Sequence, residues 1–242
     1  PGVVEKRPYL RETRLQMLVH QRRYLKVPTL LDLEPADVRS ILSGHSDYLI
    51  FALVRNPYSR LVSAFENKVR LREPGFGDAA SRWAAAESGA DVRATFADFA
   101  REAIPYYGQK MREHHFVPQS DLLMPRLLPY SRFYQVECFA EFERSFLEYL
   151  QRQGAGGLPE FRDRNRSLYP NWRLYYDEST ARLVADFYGR DFETFGYDLN
   201  SWRLDHAPPP LLTSPSDAHW RQAVIERNEM IEFLFEGMKV WR

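Results

Sequence analysis

The chain has 242 residues, 44% hydrophobic and 27% charged, the balance of a globular protein rather than of a low-complexity or collagen-like one. Its 33 basic and 33 acidic residues cancel, which argues against a generally basic nucleic-acid coat. The longest apolar runs, such as residues 48–54, fall far short of the roughly 20 residues a membrane helix needs, and the single Cys138 excludes an internal disulfide framework.

No apolar leader stands at the start, and the first residue is Pro1. We therefore expect a chain shortened at its N-terminus. Residues 5–26 carry seven Lys/Arg against two Glu, either a solvated helix face or an anion-facing surface. The spacing of Leu10, Met17 and Leu18 predicts a helix over residues 8–24. A second helix is predicted over 32–42, with Pro35 near its first turn and Gly44 ending it.

Residues 48–54 are continuously apolar and read as a strand buried on both faces, as in a parallel sheet. The run ends at Arg55-Asn56-Pro57. Asn56 suits a helix cap and Pro57 the first helical position. Tyr58, Leu61, Val62, Phe65 and Val69 then mark one helical face. Residues 73–90 read as a loop with a short helical piece. Residues 91–104 read as an amphipathic helix, 108–129 as an ordered loop, 133–138 as a strand and 140–153 as a helix. Helices are predicted over 178–188 and 217–241. Between them Pro208-Pro209-Pro210 forms a rigid turn or linker. Few strands among many helices, in the order strand–helix–helix–strand–helix, predict an α/β fold with a small, mainly parallel sheet.

A buried strand running into a capped helix presents orphan N–H groups and a positive dipole end to any anion there. Arg55 stands at that mouth with a planar fork suited to phosphate or sulfate. Ser59 and Ser63, four residues apart on one helical face, add two hydroxyls. A simple ion pair at the junction is the other reading of the same residues.

The run Val54-Arg55-Asn56-Pro57-Tyr58-Ser59-Arg60-Leu61-Val62-Ser63-Ala64-Phe65 resembles the Val-Arg-Asp-Pro-x-x-Arg-Leu-x-Ser-Ala-Tyr motif of the carbohydrate sulfotransferases. The segment His115-Phe116-Val117-Pro118-Gln119 resembles that family's His-Trp-x-Pro-Gln segment. Residues 133–137 followed by Phe142-Glu143 resemble its strand-then-helix element, and Asn165-Arg166-Ser167 a later Asn-x-Ser/Thr segment near the nucleotide. Residues 187–197 resemble its closing Tyr-x-x-Asp-Phe-x-x-Phe-Gly-Tyr. The likeness runs collinearly over residues 47–197.

The resemblance implies a P-loop-like three-layer fold, and a donor, 3′-phosphoadenosine 5′-phosphosulfate (PAPS), that gives its sulfuryl group to a hydroxyl of a carbohydrate or other acceptor. It assigns the 3′-phosphate to Arg55 and Ser63, with Ser59, Arg166 and Ser167 in support. His115 takes the position of the family's histidine and is the candidate general base, with Glu66 and His114 as runners-up. The family's opening strand and Pro-Lys-x-x-x-Thr/Ser loop for the 5′-phosphosulfate have no counterpart here. Lys6 and Thr13 are present, but no apolar strand precedes them. Truncation, a loop supplied by another segment, and lost activity are the three explanations. The last makes the chain a catalytically inactive nucleotide- or glycan-binding module. Asn56 replaces the family's aspartate, and both residues cap helices.

Sulfuryl transfer needs positioning and charge stabilisation rather than a metal, and no metal site is expected. In a strand the adjacent rings of His114 and His115 would point to opposite faces, a poor arrangement for a metal. His20, His45, His206 and His219 lack supporting context, and Arg164 and Arg166 can equally be solvated among 28 arginines. Tyr169, Trp172, Tyr175 and Tyr176 suit either a sugar face or the core. No nucleic-acid partner is expected. We expect a sulfotransferase-like domain over residues 1–207, then a linker and a helix packed on it over 208–242. A bacterial cytosolic setting fits the single cysteine, and a Golgi luminal domain cut from its anchor fits the resemblance.

Overall fold

The computed structural model describes residue 29 and residues 32–44, 48–74, 92–111, 113–155, 171–204 and 215–240, with side chains in the last helix only for 219–233. The predicted helix over 8–24, most of the 73–90 loop and the proline run at 208–210 lie outside the described residues. So do Lys6, Thr13, His20, His45, Arg164, Arg166, Ser167, Tyr169 and His206. The chain forms two compact units, residues 1–48 and 49–242.

The first unit contributes helix α1 (Pro35–Leu42), with Pro35 in its first turn. Gly44, at φ 74°, returns its N–H to the Ile41 carbonyl, and a side chain in that left-handed conformation would be strained.

In the second unit, strand β1 (Phe51–Val54) leads into α2 (Pro57–Ala64). Asn56 accepts the Tyr58 N–H on its side chain at 3.0 Å, and Pro57 follows as the first helical residue. The helix widens into a π-helical turn over Phe65–Arg70. Helix α3 (Val92–Ala103) does the same over Ile104–Lys110. Here Pro105 has no N–H to give the preceding turn, so the ordinary helical ladder cannot continue. Short helix α4 (Gln119–Leu123), strand β2 (Arg132–Gln135) and helix α5 (Phe139–Arg152) follow. A single turn (Trp172–Tyr175) precedes α6 (Glu178–Phe195), and α7 (Pro215–Val240) comes last.

β1 and β2 pair in parallel with Phe51 opposite Arg132 and Val54 opposite Gln135. Together with the abundance of helix, this is the α/β arrangement expected. The expected burial of β1 on both faces is not realised among the described residues. Val54 is fully buried, Phe51 and Ala52 are half-buried, and Leu53 is 40% exposed. β2 is the one described strand beside β1, and α5 covers the Phe51 end, where Phe142 and Phe146 lie 4.9 and 5.7 Å from its ring.

The core gathers the apolar face of α2 with those of α3 and α6. Phe65, Phe96 and Phe99 pack ring against ring, with Phe65–Phe99 at 4.9 Å. Such aromatic pairs contribute about 0.5–1.5 kcal/mol each beyond area burial. Three elements differ from expectation. The strand predicted over 133–138 stops at Gln135, and Val136–Cys138 form a single 3-10 turn. The region read as a loop contains α4, and α6 runs past residue 188 to Phe195. Tyr188 marks a kink there, with φ −99° and ψ 16°. Asn228 of α7 donates to the Leu71 carbonyl at 2.6 Å, and Glu229 pairs with Arg72, which fastens the last helix onto the turn after α2.

Candidate functional site

The site is built on the junction between β1 and α2. Arg55, half-buried, is the first residue after β1, directly following Val54 and one before the Asn56 cap. Its Nε donates to Ser59 Oγ at 2.8 Å, while its terminal nitrogens make no hydrogen bond to a described residue. A guanidinium held from behind with its fork open is suited to a planar pair of oxyanion acceptors. Burial lowers the Arg55 pKa and the charge of Glu137 opposes that fall. The group stays cationic at neutral pH.

The helix end itself corrects the expectation of free amide donors. The Asn56 N–H goes to Glu137 Oε1 at 2.9 Å, the Tyr58 N–H to the Asn56 side chain, and Pro57 has none. Glu137 Oε1 also accepts from Ser59 Oγ at 3.2 Å, and Oε2 accepts the Tyr197 hydroxyl at 2.9 Å. The same hydroxyl lies 3.0 Å from the Val54 carbonyl. Burial raises the Tyr197 pKa and Glu137 raises it further, so the phenol remains a neutral donor. The charge at this junction is therefore that of the guanidinium more than of backbone N–H groups.

Of the two serines, Ser59 is buried and committed to Arg55 and Glu137. Ser63, one turn on and half-buried, makes no hydrogen bond to a described residue. Arg166 and Ser167 lie outside the described residues.

His115 stands in a turn rather than a strand. Its Nδ1 lies 2.8 Å from Glu113 Oε1, and its backbone N–H donates to Glu113 Oε2 at 2.8 Å. A carboxylate on Nδ1 fixes the tautomer that leaves Nε2 as the basic nitrogen. Burial alone would raise the Glu113 pKa, but the His115 hydrogen bonds and the charge of both histidines outweigh it and hold the carboxyl below its ordinary value. His114, more exposed, brings Nδ1 to 3.1 Å from the same oxygen, and the two rings sit 4.1 Å apart. The turn thus overcomes the opposite-face argument: Glu113, His114 and His115 offer three donor atoms within 4.8 Å of one another.

Arg60 ties this turn to α2. Its Nη1 donates to the Val117 carbonyl at 2.8 Å and its Nη2 to the His114 carbonyl at 2.7 Å. Tyr188 donates to the Phe116 carbonyl at 2.6 Å from the other side. His115 and Arg55 are in this way fixed to the two ends of one helical turn.

The other candidates are structural. Glu66 is 1% exposed and spends Oε1 on Arg70, at 2.7 Å, and on the Tyr175 hydroxyl. Tyr175 and Tyr176 are core residues, and the Tyr176 hydroxyl donates to the Tyr58 carbonyl at 2.8 Å. Trp172 is half-buried with the Arg173 guanidinium 4.6 Å from its ring centre. His219 is exposed on α7. Sequence reasoning gave no role to Arg60, Glu113, Gln119, Glu137, Asp191 or Tyr197. Arg60, Gln119, Glu137, Asp191 and Tyr197 stood inside the motifs quoted above, and their carbonyl and amide partners lie far away in sequence. No helix among the described residues is long and apolar enough to cross a membrane.

No curated protein and no solved structure matches the chain. The model of the sulfotransferase family matches residues 12–198, more than half of the chain and inclusive of every element from α1 to α6. With the Arg55 junction, the His115 turn and the closing segment of α6 all inside that match, the chain belongs to the sulfotransferase family.

Proposed function

We propose that the chain moves a sulfuryl group from PAPS to a hydroxyl of a carbohydrate acceptor. The observation that carries this reading is the Arg55 guanidinium, held at Nε by Ser59 with its two terminal nitrogens unbonded to any described residue. Arg55 and Ser63 take the 3′-phosphate of the donor, Ser59 orients the fork, and Arg166 and Ser167 complete the nucleotide contacts. His115, with Glu113 on Nδ1, takes the acceptor's proton on Nε2 as the hydroxyl oxygen bonds to sulfur. The sulfur–oxygen bond to the nucleotide breaks in line, and adenosine 3′,5′-bisphosphate leaves. No metal takes part in this scheme.

The test is calorimetric titration of the full chain with adenosine 3′,5′-bisphosphate. Arg55→Ala should weaken binding by about 1.5–3 kcal/mol, the scale of a charge-assisted hydrogen bond. Unchanged affinity removes Arg55 from the site. Transfer of label from PAPS to a glycan panel, lost in His115→Ala, tests the base. Nucleotide binding without transfer to any acceptor would assign the chain as an inactive binding module instead.

A further inference from the structure

Arg55 is held by its backbone as firmly as by its side chain. Gln119 Oε1 accepts the Arg55 N–H at 2.9 Å, and Gln119 Nε2 donates to the Arg55 carbonyl at 2.8 Å. A neighbouring strand would satisfy a β residue's N–H and C=O in a similar way. Yet the β1–β2 ladder ends one residue earlier, at Val54 opposite Gln135. The primary amide of Gln119 therefore stands in for a strand residue just where the sheet stops.

Gln119 is itself pinned. It is the first residue of α4, a helix with no side-chain cap at Pro118. Asp191 supplies the cap from α6. Its Oδ2 accepts the Gln119 N–H and its Oδ1 the Ser120 N–H, both at 2.7 Å, and the residue is fully buried. α6 brings Asp191 there after the kink at Tyr188. An unbroken series of short bonds thus runs from Asp191 through the start of α4 to the backbone of Arg55.

We propose that Gln119 and Asp191 are positioning residues for the anion grip of Arg55. Neither touches the anion. Gln119 sets the direction in which Arg55 leaves β1, and Asp191 sets the place of Gln119. The inference rests on the reading of Arg55 as the phosphate ligand. Preorganisation of this kind acts on affinity by removing the ordering cost from the binding step.

The experiment is a double-mutant cycle on the full chain, with adenosine 3′,5′-bisphosphate as the calorimetric probe. Gln119→Met keeps the side-chain length and removes both bonds. It should weaken binding about tenfold, and Asp191→Asn should weaken it in the same direction. In an Arg55→Ala background, Gln119→Met should change nothing further, because its effect passes through Arg55 alone. A merely structural residue would lower the melting temperature and leave affinity intact, or give losses that multiply in the double variant. Either result overturns the proposal. Gln119→Leu also removes both bonds, with a branched side chain of similar volume, and should weaken binding as much as Gln119→Met. It also serves if the methionine variant does not fold. Failure of the wild-type chain to bind the nucleotide would instead strike the Arg55 reading. The clamp then shows in amide hydrogen exchange, where Gln119→Met should speed exchange at the Arg55 N–H about tenfold. Unchanged exchange overturns it.

Discussion

Removal of the Arg60 guanidinium should loosen the His115 turn without touching the nucleotide junction. Two charge-assisted bonds are lost, to the buried Val117 carbonyl and to the carbonyl of exposed His114. A hydrogen bond to a charged group contributes about 1.5–3 kcal/mol, and water replaces an exposed one at little cost. Part of the loss is offset. Burial is the chief reason the Arg60 pKa lies below its ordinary value, and that penalty vanishes with the side chain. Arg60→Met, which keeps the apolar stem, should therefore cost about 2 kcal/mol, or about 4–8 °C in melting temperature for a chain of this size. Arg60→Lys reaches one carbonyl and should lose about half as much. Under the proposed function, turnover should fall in Arg60→Met while affinity for adenosine 3′,5′-bisphosphate holds. The assay pairs scanning calorimetry with nucleotide titration and the labelled transfer reaction. A melting temperature within about 1 °C of wild type would refute the claim that this guanidinium fastens the turn. Loss of nucleotide affinity equal to that of Arg55→Ala would refute its separation from the phosphate grip.

Two further outcomes follow from buried charge and capping. Glu66 and Arg70 form a pair 1% and 3% exposed, joined by the Tyr175 hydroxyl. Glu66→Ala should cost about 3–5 kcal/mol in urea unfolding, whereas Glu66→Met with Arg70→Met should cost far less. Equal losses would show that the ion pair is not the issue. Asp177 caps α6, accepting the Thr180 N–H at 2.7 Å. Burial raises its pKa, but the Thr180 and Ser179 hydrogen bonds outweigh that and leave it below its ordinary value. A carboxyl with its folded-state pKa depressed stabilises at pH values above its unfolded pKa, near 3.9. That stabilisation is lost as the pH falls through the lower folded value. Asp177→Ala should thus cost about 1 kcal/mol at neutral pH, and the gap to wild type should close in acid. A gap that persists at about pH 2 would show that the carboxylate charge is not what caps the helix.

The parts of this fold that sequence makes legible are those whose causes are local. Asn56, Pro57 and the apolar residues spaced along α2 carry the cap, the first turn and the buried face within a dozen positions. The start of α6 at Asp177 and its left-handed end at Gly196 are of the same kind. What escapes sequence is held from far away. α4 reads as loop because its cap is Asp191, 72 residues beyond the N–H it accepts from Gln119. The helix predicted over 178–188 runs on to Phe195 because the departure at Tyr188 is a kink and not an end, the Tyr188 hydroxyl drawn to the Phe116 carbonyl 72 positions earlier.

The same distinction governs the candidate site. The junction of strand and helix is visible in the order of residues, and so is the arginine at its mouth. The fate of the Asn56 N–H is not, because Glu137 reaches it from 81 residues downstream. An argument from the helix end alone therefore places the positive charge in the backbone, where the Asn56 and Tyr58 donors are already spent. Among the described residues the fork of Arg55 is open because Ser59 and Gln119 restrain the residue through Nε and the main chain. A short hydroxyl and a remote amide leave the terminal nitrogens for an anion. A carboxylate placed across the fork would have closed it, which is why Glu137 serves the site best on Asn56, Ser59 and Tyr197.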